Sequence, residues 1–86
     1  MYRLLFSTRA SRAFLSLPPT DAQRIKRALD RLQEDPRTRG VVALHDLRLA
    51  RYRFRVGHYR ILFDISDRET TIEVLDIRRR DERTYR

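Results

Sequence analysis

Arginines at every second position, Arg51, Arg53 and Arg55, followed after a short break by Arg60, are the pattern in this sequence with the clearest chemical content. A guanidinium group is a planar, permanently charged donor with no acceptor, so a cluster of them can hold phosphate oxygens but cannot easily take a proton. Their spacing indicates that they do cluster. Residues 52–56 (YRFRV) and 59–65 (YRILFDI) alternate with period 2, and Gly57-His58 between them is a two-residue loop with glycine first, the favoured hairpin connection. The register that follows puts Val56 opposite Tyr59, Phe54 opposite Ile61 and Tyr52 opposite Phe63 on an apolar face. The other face pairs Arg55 with Arg60, Arg53 with Leu62 and Arg51 with Asp64. Like charges directly across a ladder cost roughly a few tenths of a kcal/mol or more, so this face reads either as a surface for a polyanion outside the chain or as the solvated polar face of an arginine-rich protein.

The elements that must position this hairpin are legible on either side. Residues 2–6 read as a strand, and Ser7 or Thr8 is placed to cap a short helix with Ala10, Phe14 and Leu17 on one face, ended by Pro18 and Pro19. Thr20 with Gln23 forms a capping box for a second amphipathic helix through Ala22, Ile25, Leu29 and Leu32, which must stop before Pro36. Its outer face, with Arg24, Lys26, Arg27, Asp30, Arg31 and Glu34, reads as a solvated surface. Residues 38–43 read as a loop and 44–49 as weakly strand-like. After the hairpin come a polar turn at 66–70 and a strand at 71–77. That strand is apolar in both phases, through Ile72 and Val74 and through Leu75 and Ile77, as expected of a strand covered on both sides. The expected fold class is α+β: a strand, two helices, then an antiparallel meander of three or four strands, with the helices on one sheet face. Arg53, Arg55 and Arg60 then line the open face. The ending carries Arg78, Arg79, Arg80, Arg83 and Arg86 against Asp81 and Glu82, and brings Arg80 and Tyr85 within reach of that surface.

Composition sets the bounds. Eighty-six residues suffice for one small domain with a modest core, and a net charge of +8 suits contact with phosphate or capture by an acidic partner. Lys26 is the only lysine among twenty basic residues. The lack of cysteine excludes disulfides, thiol nucleophiles and cysteine-based metal sites. No His, Asp and Glu spacing suggests a metal site, no apolar run approaches membrane-spanning length, and the first residues are too short for a signal segment; a cytosolic setting is expected. His45 and His58 are the side chains whose ordinary titration lies near neutrality, His58 in the turn and His45 just before the hairpin.

Over nearly its whole length the chain resembles toxins of the RelE/ParE superfamily of type II toxin-antitoxin systems. The segment YRFRVGHYRILF at 52–63 is similar to the family's arginine-rich hairpin with its Gly-x-Tyr-Arg turn. The ending IRRRDERTYR at 77–86 resembles the RelE branch's closing arginine and tyrosine, and Leu44 and Leu47 before the hairpin also fit. The resemblance implies a ribosome-dependent endoribonuclease that cuts messenger RNA in the decoding site, needs no metal or other cofactor, and is held by an acidic cognate antitoxin. Arg60 and Arg80 match the phosphate-stabilising arginines and Tyr85 the aromatic that orients the substrate base. Arg53 and Arg55 stand where well-known RelE members carry lysines, one of them the general base, so electrostatic stabilisation survives while base catalysis loses its usual group. Arg51, Arg78, Arg79 and Arg83 are expected to contact RNA. The alternative is a ParE-like toxin that inhibits DNA gyrase through protein contacts; a third is a basic RNA-binding module without catalysis.

Overall fold

The computed structural model describes residues 1–79. In chain order the elements are β1 (Arg3–Phe6), α1 (Thr8–Leu15), α2 (Pro19–Glu34), β2 (Val41–Ala43), β3 (Tyr52–Val56), β4 (Tyr59–Ser66) and β5 (Thr71–Arg79). They build a sheet in the order β1-β5-β4-β3-β2, antiparallel throughout except for β1, which runs parallel to β5. This is the expected α+β arrangement, with four meander strands.

Both helices cover one sheet face. Ala10 of α1 and Ile25, Ala28, Leu29 and Leu32 of α2 form one buried cluster with Phe54, Ile61, Phe63, Ile72, Val74 and Ile77. Each large side chain buried there contributes about 1.5–3 kcal/mol. Ser7 caps α1 as expected, its Oγ accepting from the Ala10 N–H at 3.0 Å. The capping box at Thr20 does not form. Pro19 occupies the first helical position, where its fixed φ is already helical and its missing N–H is no loss, so α2 starts ahead of Thr20 and Pro18 becomes the cap. The helix ends at Glu34, before Pro36.

Two further expectations are corrected. The stretch expected to be loop contains β2, whose Val41 pairs with Phe54 and Ala43 with Tyr52, while 44–49, expected to be weakly strand-like, is irregular and ends in a turn at 47–49. Gly40 at φ 101° lets the chain enter β2 close against the Phe54 ring, and the Asp46 carboxylate accepts from the Arg48 N–H, a local turn that competes with pairing. The turn segment returns over the face opposite the helices, so that face is not fully open: Leu62 is only 5% exposed, and Leu49 lines a hollow with it.

The second correction concerns β5. Leu62 pairs with Asp76 but Phe63 with Val74, which leaves Leu75 as an extra residue in a bulge. Its alternation therefore changes phase at Leu75. Val74 and Ile77 reach the same core, and the two apolar phases come from the bulge rather than from full cover on both sides.

Candidate nucleic-acid interface

The hairpin forms as its sequence dictates. Gly57 has φ 57° while no positive φ occurs at His58, the pattern of a type II′ turn, and every expected pair from Val56↔Tyr59 to Tyr52↔Phe63 is present. Arg51 meets Asp64 through its backbone, the N–H donating to the carboxylate at 2.7 Å.

The bulge then completes a row. Arg60 pairs with Arg55 on one side and with Arg78 on the other, so three arginines stand abreast on β3, β4 and β5 across about 10 Å of sheet. Arg60 is half-buried, with its Nε shielded from solvent. Arg78 is oriented by Asp76, whose Oδ2 accepts from its Nε at 2.9 Å. Arg53 sits one row behind, paired with Leu62 and Val42. A row of this kind presents forked donors to more than one phosphate oxygen at once.

Arg79 does not join the row. Its partner is Tyr59, so it lies on the helix-covered side, at the end of the sheet. Tyr59 is buried and donates its hydroxyl to Asp21 of α2 at 2.7 Å, fastening the start of β4 to the helix. That bond to the carboxylate raises the phenol's pKa, and burial adds to the rise. His45 and His58 are exposed. Arg80, Arg83 and Tyr85 lie outside the described residues. Among the described residues, no group of three His, Cys, Asp or Glu side chains could hold a metal ion, and no helix is long and apolar enough to cross a membrane.

One cationic surface escaped the sequence reading. Arg24, Arg27 and Arg31, assigned to a merely solvated helix face, line a cleft of about 230 Å³ between α2 and β3 together with Arg55, Phe54 and Val56. The i, i+3, i+7 spacing of three arginines was the available signal, hidden by the other charges around them.

A five-stranded mixed sheet with two helices on one face and an arginine row on the other belongs to a known class of folds. The chain of an archaeal RelE–RelB complex from Pyrococcus horikoshii OT3 is 26% identical and superposes with a TM-score of 0.79, covering 94% of this chain and 97% of its own. A chain of the RelBE2 toxin-antitoxin complex from Mycobacterium tuberculosis is 30% identical, with TM-score 0.79 and coverage of 92% and 98%. The isolated E. coli RelE toxin, 22% identical with TM-score 0.79 over 99% of this chain and 93% of its own, shares the fold. No curated protein matches significantly. Residues 4–84 match the model of the ParE toxin of type II toxin-antitoxin systems, parDE. The chain belongs to this family and is a toxin of the RelE/ParE superfamily.

Proposed function

We propose that this toxin is a ribosome-dependent endoribonuclease, a metal-independent messenger RNA interferase acting in the cytoplasm. The observation that carries the reading is the register row Arg55–Arg60–Arg78, with Arg53 behind it. The 2′-hydroxyl of one nucleotide attacks the adjacent phosphorus in line. The P–O5′ bond breaks, leaving a 2′,3′-cyclic phosphate, while the 2′ proton is lost and the departing 5′ oxygen gains one. Negative charge grows on the non-bridging oxygens, and fixed guanidinium donors stabilise it without reorganising.

Arg60 and Arg80 are assigned to that charge, Arg53 and Arg55 to its electrostatic support, and Tyr85 to orienting the base. Arg51, Arg78 and Arg83 hold flanking RNA; Arg79, on the helix side, meets it only past the sheet's end. The ribosome presents the messenger in its decoding site. Control falls to an acidic, partly helical antitoxin segment that folds over the basic surface, a pairing supported by the RelE–RelB complexes among the similar structures.

The matched family's description as a ParE toxin favours a second reading, inhibition of DNA gyrase. The two are separated by presenting programmed ribosomes and, in parallel, gyrase with relaxed plasmid. Cleaved message ending in 2′,3′-cyclic phosphate is expected. Intact message together with blocked supercoiling would overturn the nuclease reading.

A further inference from the structure

The helix α2 carries Arg24, Arg27 and Arg31 alongside the hairpin rather than out into bulk solvent. A Cβ on Gly57 would lie 3.6 Å from Arg24 Nη1, and the Arg31 guanidinium sits 5.9 Å from the centre of the Phe54 ring. Seven helical residues and three strand residues both span about 10 Å, so the stripe runs beside β3 from its turn end. The cleft between them is rimmed by these three arginines and Arg55, and none of the four is in an ion pair among the described residues. Arg55 belongs both to this cleft and to the row with Arg60 and Arg78. Because β2 pairs only with residues 52–54, no strand stands between them at the free end of β3. The cationic surface is therefore continuous from the row, around the end of β3, onto α2.

The opposite direction disfavours a polyanion: past Arg51, which lines the hollow there, the surface is acidic. Four residues along β4 from Arg60, Asp64 stands directly across from Glu73, and Glu69 lines the same hollow. None of these three carboxylates is ion-paired among the described residues, although the chain has twenty basic side chains. A phosphate chain running along the strands from the row would meet them.

From this asymmetry we infer that the α2–β3 cleft is a second phosphate-binding track, which takes the single RNA strand leaving the arginine row around the end of β3. The inference rests on the nuclease reading for the identity of the strand as RNA. An acidic peptide is the competing occupant; continuity through Arg55 with a row built for phosphate favours RNA.

The test measures binding of a 2′-O-methyl oligouridylate of about ten nucleotides, which cannot be cleaved and exceeds the reach of the row alone, against salt concentration. Replacing Arg24, Arg27 and Arg31 together by Gln is expected to lower the slope of log K against log salt by about 2, three contacts at about 0.7 each. The corresponding Lys triple keeps the slope, which separates charge from folding, and Asp64→Asn with Glu73→Gln leaves it unchanged. An unaltered slope in the Gln triple, or equal loss in the Lys triple, overturns the track. So does a Gln triple that binds RNA normally but loses affinity for the antitoxin, which would make the cleft a protein-docking surface. If the wild-type toxin fails to cut ribosome-bound message while the Gln triple still loses slope, the nuclease reading falls and the track stands.

Discussion

At the turn end of β4 three arginines stand abreast on neighbouring strands, whereas near its other end a single arginine, Arg37, is gripped by both oxygens of Asp67 at 3.0 Å each. Tyr2 donates its hydroxyl to the same carboxylate at 2.7 Å, and Arg37 also lies over the Tyr52 ring, which stacks on Phe63. This second cluster ties the segment before β1, the α2–β2 loop and the β4–β5 turn to the core. Charge that is neutralised inside the molecule serves the fold. Like charge gathered in one row across neighbouring strands, even where Asp76 aims Arg78, serves something outside it, and the two regions should respond oppositely to substitution.

The largest effect is expected at the row. Arg60→Ala should slow single-turnover cleavage of ribosome-bound message by about 10²–10³-fold, the usual cost of removing a donor that stabilises a developing anion. Stability measured by urea unfolding should change by no more than about 0.5 kcal/mol, because relief of repulsion against Arg55 and Arg78 offsets the contacts that the arginine gives up. Unfolding of this variant would make Arg60 structural and erase the contrast between the two ends. In the other direction, Arg55→Lys should raise the cleavage rate on the order of tenfold by supplying a group that can lose its proton. A fall instead would show that the planar fork matters more than a base.

An intermediate effect is expected where the fold aims the row. The Ser7 hydroxyl that caps α1 also donates to the Leu75 carbonyl at 2.7 Å, so one side chain holds both the helix start and the bulge. Ser7→Ala should cost about 1–2 kcal/mol in urea unfolding, as lost N-caps do. Cleavage should fall only severalfold, through looser placement of Arg78. If the rate drops as far as in Arg60→Ala, positioning by the bulge outweighs the chemistry of any single arginine.

The hairpin and its register were readable in the sequence because turn chemistry and a period-2 pattern agree there with burial. Elsewhere local signals competed. Thr20 and Gln23 spell a capping box, yet Pro19 sets the helix start first. Val41 to Ala43 is too short to show a period and becomes a strand only because β3 offers it an edge. The bulge at Leu75 leaves no signature beyond apolar residues in both phases, which also describes a doubly covered strand. That ambiguity hid which of two adjacent arginines faces the row: Arg78 does, and Arg79 meets Tyr59 on the other side. The α2 arginines were missed because a helix face of mixed charge looks solvated until the hairpin packs beside it.

The smallest effect, and the cleanest separation of the two regions, is expected from acid. Hydrogen bonds from Arg37 first and Tyr2 second hold the Asp67 carboxyl below its ordinary pKa. The folded chain therefore binds that proton less readily than the unfolded chain does. The stabilisation is fully present above the unfolded carboxyl value of about 4 and is lost as pH falls through the lower, folded value. Thermal unfolding followed across the acid range should show a slight extra fall in Tm in the wild-type toxin that is missing in Asp67→Asn, whose Tm near neutral pH starts a little lower. The cluster is exposed, so water screens it and the shift stays small. Cleavage at neutral pH should match the wild type in Asp67→Asn and in Arg37→Gln. Were either variant to lose cleavage with its Tm intact, the far end of the sheet would belong to the RNA-binding surface, and the division between folding charge and partner charge would fail.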